Sequence, residues 1–343
     1  MEKAYNLFGD DDGIYNYCPS PVRVDDTTSY VFYCANTVPG LVIDDIYARK
    51  GTLAGGRWTF GEKFRALEPS RLDWDCIHVC DPDVIKGEFR YRGETYSWMM
   101  VYLGCDIHYC YHNQVGVAFA KDIAGPYVKY DANPVVAYDE TFHWGAGQAS
   151  VVSLDGKGRF RMLYSQTVHE YEKHSLRGRV FWRDFDFGDA DAPVVGEEVA
   201  MHEGGITDRG GAPTDGEPVF NNPTIVWDRE TDTYYLTREG TPFDRVRTPG
   251  FIASYTQVCA ISRADFERNE GGWRTVYEFG AEDTGFERNH NGGVFKDAYG
   301  WLYTPGVLPV AVTVSELKEQ DFLWTYRLYY KELAVERGAV RDV

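Results

Sequence analysis

The sequence contains three carboxylates and one histidine at predicted strand ends, where they could transfer protons. Asp45 opens one apolar run, Asp81 opens another, and Glu239 follows a third. His290 stands directly before a fourth predicted strand position, Asn291. Carboxyl and imidazole groups are the commonest general acids and bases of enzymes. Whether these residues act together depends on the elements that position them.

A degenerate motif recurs five times along the chain at nearly constant spacing. Each copy has a leading residue, then a small residue or proline, and then, after one further residue, an apolar pair. The leading residues are Cys18, Asp81, Gln148, Asn222 and Asn291. A turn, often rich in Asp or Gly, and two further aromatic or β-branched runs follow each copy, a pattern that predicts strands joined by hairpins.

This repeat predicts an all-β fold, a five-bladed β-propeller with four-stranded antiparallel blades around a central channel. A closed ring has no natural internal boundary, so we expect residues 1–343 to form a single domain. A β-sandwich or several small β domains are the alternatives. The constant order of strand, turn, strand and strand disfavours both.

Charge and composition restrict the partners. The net charge of −18 opposes binding to nucleic acid or to an anionic membrane, because both require a basic surface. The sequence has no apolar run of transmembrane length and no secretory signal pattern at its start. Seven cysteines, an odd number without regular spacing, fit a reducing compartment. We therefore expect a cytoplasmic protein; no oligomeric state is indicated.

Segments 76–80 and 108–112 alternate cysteine and histidine at strand spacing, so each set could project from one face of a sheet. Zinc would require the two segments to be adjacent and in register, and neither contains a C-x-x-C pair. Neither segment is therefore expected to hold a metal, and no cofactor is expected to be required.

Two passages carry a family resemblance. The first is Cys80–Ile85 with its following strand, and the second is Gly116–Tyr127, continued by Asn133–Val136. The first resembles the Asp-Pro motifs that open blades in glycoside hydrolase families 32 and 43, and the second resembles a strand running into a Gly-Pro-Tyr turn. With the fivefold repeat, the chain resembles the five-bladed propeller glycoside hydrolases of families 43, 32, 68, 62 and 117.

The resemblance implies an active site at one end of the channel, lined by the five leading residues. It also implies a carboxylate in the first blade and a glutamic acid in the third or fourth. This sequence has Cys18 at the first place and Gln148 or Asn222 at the second. Only Asp81 keeps a carboxylate, so a second acid must come from outside the ring.

Glu239 is our candidate for the general acid, and Asp45 could compensate for Cys18. Both could equally be solvated carboxylates at strand ends. His290 is expected to face the channel, because in related families a fifth-blade histidine lies beside a hydrated cation or acts as the acid. A structural divalent cation near His290 is the one metal that the resemblance implies.

Further residues are expected to bind substrate. Aromatic platforms beside polar groups are a common way to hold a sugar, although Trp74 and Trp144 could instead pack between blades. The expected substrate-binding residues are Cys18, Trp74, Asp75, His78, Asp83, Trp144, Gln148, Arg179, Asn222, Asn291 and Arg327. The insertions 166–178 and 186–218 are expected to wall the pocket.

The leading hypothesis is a glycoside hydrolase that acts on a small oligosaccharide or glycoside, with inversion and with an incomplete carboxylate set. A carbohydrate-binding propeller that has lost catalysis is the first alternative, since Cys18, Gln148 and Asn222 cannot shuttle protons at neutral pH. A phosphorolytic relative is the second. It would need cations around the funnel, and Arg179, Arg238 and Arg327 are the candidates.

Overall fold

The computed structural model describes residues 3–9, 15–36, 38, 41–108, 111–170, 175–207, 222–240, 253–316 and 325–335. It confirms the five-bladed propeller: five small, mainly antiparallel sheets form a ring. Two short helices, α1 (Arg263–Arg268) and α2 (Ala281–Thr284), lie in the connections. Neither described helix is long and apolar enough to cross a bilayer.

Each blade is formed by consecutive strands. The chain starts with β1 (Tyr5–Asn6). Blade 1 contains β2 (Asn16–Arg23), β3 (Thr28–Asn36), β4 (Asp44–Ala54) and β5 (Arg57–Leu67). Blade 2 contains β6 (His78–Tyr91), β7 (Glu94–Cys105), β8 (Gln114–Ala120) and β9 (Val128–Lys129). Blade 3 contains β10 (Gly145–Ser153), β11 (Arg159–Glu170), β12 (Ser175–Asp186), β13 (Val194–Val195) and β14 (Val199–Ala200).

Blades 4 and 5 complete the ring. Blade 4 contains β15 (Thr224–Asp228), β16 (Thr233–Glu239), β17 (Thr256–Ser262) and β18 (Arg274–Phe279). Blade 5 contains β19 (Arg288–Val294), β21 (Val307–Ser315) and β22 (Arg327–Ala334), and β1 adds its outermost strand by pairing with β22. The short strand β20 (Lys296–Asp297) pairs in parallel with β2. The two ends of the described chain thus meet in one sheet and close the ring.

Local sequence explains the hairpins. Arg92 and Gly93 join β6 to β7, and both have positive φ, the geometry of the tight turns that match strand twist. The Asp25 side chain accepts the main-chain N–H groups of Thr27 and Thr28 between β2 and β3. These Asp- and Gly-containing turns are the ones that the repeat predicted.

The hydrophobic core is divided among the blade interfaces. A buried cluster lies between each pair of neighbours, for example Phe89 and Phe119 of blade 2 against Phe160 and Phe185 of blade 3. The large aromatic rings fill the wedge between twisted sheets, which accounts for much of the aromatic content of 15%. The channel at the centre is consequently lined by polar inner-strand residues rather than by core.

Candidate active site at the channel mouth

The five leading residues of the repeat form a ring at one end of the channel. All have left-handed backbone conformations, with φ of 49° at Cys18, 47° at Asp81, 54° at Gln148, 49° at Asn222 and 44° at Asn291. In four blades the residue coincides with a register shift of the inner strand, and in blade 4 Asn222 lies two residues before β15. Non-glycine residues rarely adopt this conformation, and it recurs at functional sites.

These residues enclose a small cavity of about 40 Å³. Its lining combines the five leading side chains with the residues that follow them, among them Pro19, Pro82 and Pro223. One water needs about 10–15 Å³ by this measure, so the cavity can hold a few water molecules. It is too small for a sugar ring. A sugar would therefore lie over the mouth, with water or a small group beneath it.

A ring of hydrogen bonds connects the blades. Asp81 Oδ2 accepts the main-chain N–H of Gln148 at 3.2 Å, and Gln148 Oε1 accepts that of Asn222 at 3.2 Å. Glu239 Oε1 accepts the main-chain N–H of Asn291 at 3.3 Å. Bulges free the N–H groups of Gln148 and Asn291 from strand pairing, and Asn222 lies outside β15. A side chain of the preceding blade accepts each of these three N–H groups.

Asp81 is partly exposed at the mouth. Burial raises the pKa of its carboxyl group, while a hydrogen bond from the Cys18 thiol, the main-chain N–H of Gln148 and the electrostatic effect of the nearby His78 and His290 rings oppose that rise. A carboxylate with a raised pKa is a stronger proton acceptor than a free aspartate. Asp81 is thus suited to take a proton from a water in the cavity.

Glu239 is the last residue of β16 and is fully buried. Its Oε1 also accepts a hydrogen bond from the Asn222 side chain and contacts His290 Nδ1. The neighbouring Arg238 donates to the main-chain oxygen atoms of Glu239 and Thr207. Glu239 and His290 therefore form a buried acid–base pair next to the leading residues of blades 4 and 5.

His290 is held by an aromatic wall. Its ring stacks on Tyr326, with centroids 5.5 Å apart and planes 28° from parallel, and Tyr326 packs against Tyr15 and Tyr17. Among the described residues, His290 belongs to no group of three or more metal-ligating side chains with ligand atoms close together. The hydrated divalent cation that the resemblance implies near His290 stays a prediction.

The channel is plugged behind the cavity. Asp83 is buried, accepts hydrogen bonds from Ser20 Oγ at 2.8 Å and Ser150 Oγ at 2.7 Å, and pairs with Lys296. Burial lowers the pKa of Lys296, and the Asp83 charge opposes this shift. Asp83, expected to bind substrate, lies in this plug. No sequence pattern indicated a role for Lys296, which comes from β20.

Asp44, rather than Asp45, lies on the inner side of β4. Asp44 is fully buried and accepts hydrogen bonds from Tyr15 at 2.6 Å and Tyr17 at 2.9 Å, and burial raises the pKa of its carboxyl group. Asp45 pairs with Arg65 at 3.1 Å. Successive strand residues point to opposite faces, so only one of the two can face the channel side. Strand alternation separates Asp44 from Asp45, but it does not by itself tell which of the two faces inward.

His78 lies behind Asp81 and supports Asp44. The ring is buried, and its Nδ1 accepts the main-chain N–H of Asp44 at 3.1 Å. This bond leaves Nε2 as the protonated nitrogen when the ring is neutral. His78 thus contributes to the wall of the site.

The two tryptophans have different surroundings. Trp144 packs against the buried cluster of Cys34, Cys80 and Leu103, as Tyr17 and Cys18 also do, and remains partly exposed. Trp74 instead stacks on Tyr102 between blades, with centroids 5.7 Å apart. Of the two expected sugar platforms, Trp144 is the one next to the cavity.

Other expected binding residues lie elsewhere in the described structure. Asp75 is fully buried and pairs with Lys129 at 2.5 Å. Arg179 is exposed on β12, and Arg327 donates to the main-chain oxygen of Tyr326. None of the three lines the described part of the cavity. Of the insertions expected to wall it, residues 171–174 and 208–218 are outside the described residues.

Cysteine pairing differs from the sequence prediction. Cys34 of β3 and Cys80 of β6 form a disulfide bond that joins blades 1 and 2, whereas Cys18, Cys76, Cys105 and Cys259 are free. Disulfides persist mainly in oxidising compartments, and the compartment of this protein stays a prediction. Of segment 108–112, Tyr109 and Cys110 lie outside the described residues.

Comparison with protein-family models finds no match, and none is found among curated protein sequences. Solved structures do match. The catalytic domain of a family 62 α-L-arabinofuranosidase from Coprinopsis cinerea has a TM-score of 0.59 at 12% identity, covering 96% of each chain. A family 117 glycoside hydrolase from Zobellia galactanivorans gives 0.61 at 10% identity, covering 96% of this chain and 89% of its own.

A family 43 enzyme from Xanthomonas citri complexed with xylotriose gives a TM-score of 0.55 at 13% identity, covering 96% of this chain and 90% of its own. At such low identity the likeness defines the fold. The chain thus has the five-bladed propeller fold that these glycoside hydrolases share, with its polar ring at the mouth of the central channel.

Proposed function

We propose that this chain hydrolyses the glycosidic bond of a small oligosaccharide or glycoside at the channel mouth, with inversion. One observation carries the proposal: Asp81 and Glu239 each accept the main-chain N–H of the leading residue in the next blade. The hydrogen bond from the Asn222 N–H to Gln148 lies between these two along the ring. Glycoside hydrolysis requires two such carboxyl groups beside one bond. Solved structures with the same fold include glycoside hydrolases, one complexed with xylotriose.

In this mechanism Asp81 is the general base. Its raised pKa and its place beside a water-sized cavity support removal of a proton from an attacking water. Glu239 is the proposed general acid; because it is fully buried and does not line the described part of the cavity, its proton would reach the leaving oxygen through His290, which contacts it. Trp144 stacks against the sugar ring over the mouth.

The proposal is tested by measuring turnover of four aryl glycosides, each with and without phosphate: a xyloside, an arabinofuranoside, a galactoside and a fructoside. We expect turnover of at least one without phosphate, and NMR of the first-formed sugar should show the inverted anomer. Asp81→Asn and Glu239→Gln should each lower kcat/KM by roughly 10²–10⁴-fold. Glu94→Gln, which removes only an exposed pair with Lys121, is the matched control and should be unchanged.

If turnover required phosphate, the reaction would be phosphorolysis rather than hydrolysis. Full activity of Asp81→Asn would exclude Asp81 as the base.

A carbohydrate-binding role is the second candidate, because three of the five leading positions, Gln148, Asn222 and Asn291, carry amides that bind sugars without transferring protons. Calorimetric binding of xylotriose or a related oligosaccharide without turnover of any glycoside would favour that role.

A further inference from the structure

Sulfur atoms and a carboxylate are concentrated at one side of the mouth. The Sγ atoms of Cys18, Cys34 and Cys80 and a carboxylate oxygen of Asp81 all lie within 4.8 Å of one another. They come from three strands, β2, β3 and β6, of two neighbouring blades. The proposed hydrolysis uses only Asp81 of these four groups.

This set matches the ligands of a thiophilic divalent cation. Tetrahedral zinc sites with three thiolates and one further ligand have Zn–S distances of about 2.3 Å, so their sulfur atoms are about 3.8 Å apart. The four ligand atoms already lie within 4.8 Å of one another, so they come from one small region once the Cys34–Cys80 bond is opened. Soft thiolates select zinc over magnesium or calcium.

Each sulfur also has a polar neighbour of the kind that supports a metal-bound thiolate. The Asp81 main-chain N–H donates to Cys34 Sγ at 3.0 Å, and the Asn291 side chain donates to Cys18 Sγ. Tyr17 Oη lies 3.0 Å from Cys80 Sγ. Disulfide sulfurs and neutral thiols are weak acceptors, whereas metal thiolates are commonly held by such outer hydrogen bonds.

We propose that Cys18, Cys34, Cys80 and Asp81 form a binding site for Zn²⁺ or a similar thiophilic cation when the Cys34–Cys80 disulfide is reduced. A phosphine supplies the two electrons and becomes its oxide with oxygen from water, and the disulfide takes up two protons to become two thiols. Metal binding then displaces the three thiol protons to solvent. In the oxidised protein the disulfide sulfurs are unavailable as thiolates, so the site is closed.

The site would control the proposed hydrolysis, a consequence that rests on the proposed function. A cation that takes Asp81 as a ligand removes it as a base, so the reduced protein would be inhibited by zinc and the oxidised protein would not. Metal binding itself is measured without any glycoside, so the two proposals can fail separately.

Anaerobic titration with Co²⁺ tests the site, because tetrahedral thiolate coordination gives intense visible and ultraviolet bands. After reduction with a water-soluble phosphine, we expect one tightly bound ion per chain, displaced by Zn²⁺, and none at the same concentration in the oxidised protein. Cys18→Ser and Asp81→Asn should each weaken binding at least about tenfold. Cys259→Ser, which removes a buried free thiol of blade 4, is the matched control.

Circular dichroism of the reduced protein checks that the fold persists. If reduction unfolds it, the Cys34→Ser variant prepared anaerobically replaces it, since it retains Cys18, Cys80 and Asp81 without a Cys34–Cys80 bond. That variant should bind Co²⁺ more tightly than the oxidised wild type. Absence of thiolate bands in a folded reduced protein, or affinity unchanged by Cys18→Ser, would overturn the proposal.

Discussion

Glu239 bonds to the main-chain N–H of Asn291 in the same way that Asp81 bonds to that of Gln148. In each case a carboxylate of one blade accepts the N–H of the left-handed residue that begins the next. Asp81 is itself a leading residue, whereas Glu239 reaches the ring from the end of β16. A second carboxylate thus joins the ring although the leading position of blade 4 is Asn222.

Asp81→Asn should lose activity and gain stability. Because burial raises the pKa of Asp81 in the folded state, the folded protein binds more protons than the unfolded chain between the ordinary and the raised pKa. Stability therefore falls as pH rises through that window, and a neutral Asn avoids the loss. We expect Asp81→Asn to unfold at a higher urea concentration at pH 7, with the difference vanishing below the ordinary pKa of aspartate. Lower stability at pH 7 would contradict the raised pKa.

Cys18→Ala should move the acidic limb of the pH profile. The Cys18 hydrogen bond opposes the effect of burial on Asp81, so its removal raises the pKa of Asp81 further. Because Asp81 must be ionised to act as a base, the acidic limb of the pH profile of kcat/KM should move to higher pH. Cys18→Ser keeps a donor at this position and is the control, with a limb close to that of the wild type. Identical limbs in the Ala and wild-type proteins would exclude Asp81 as the titrating base.

Lys296→Met should destabilise the fold by about 3–5 kcal/mol, because it leaves the buried Asp83 charge without its partner. The double variant Lys296→Met with Asp83→Asn removes both charges and keeps an acceptor oxygen for one of the two serine hydroxyls, Ser20 or Ser150. We expect it to recover most of the loss in urea unfolding. If the single variant were as stable as the wild type, the plug would contribute little to the ring.

Gln148→Val and Gln148→Gly separate backbone strain from side-chain contacts. Both variants lose the bond to the Asn222 N–H, but only glycine adopts the positive φ of this position without steric cost. Gln148→Val should therefore be less stable than Gln148→Gly by about 1–3 kcal/mol, measured by denaturant unfolding. Equal stabilities would show that the left-handed geometry imposes no cost here.

Several site features depended on contacts that no local pattern reveals. The Cys34–Cys80 disulfide joins residues 46 positions apart, and the Lys296–Asp83 pair joins residues 213 apart. Asp45 was preferred to Asp44 because the sequence does not state which face of β4 is inward. Trp74 and Asp75 precede the Asp81 motif in sequence, yet their side chains pack against Tyr102 and Lys129 between strands.

The sequence by itself determined the five blades and the five leading positions of the ring. Strand alternation, hairpin turns and the repeat are local properties, and each copy places its leading residue in the same left-handed conformation at the inner strand. Only the tertiary structure decided what surrounds that ring. Glu239, His290, Asp44 and the sulfur cluster meet there because the ring closes and brings strands of different blades within hydrogen-bonding distance, an arrangement that depends on long-range packing.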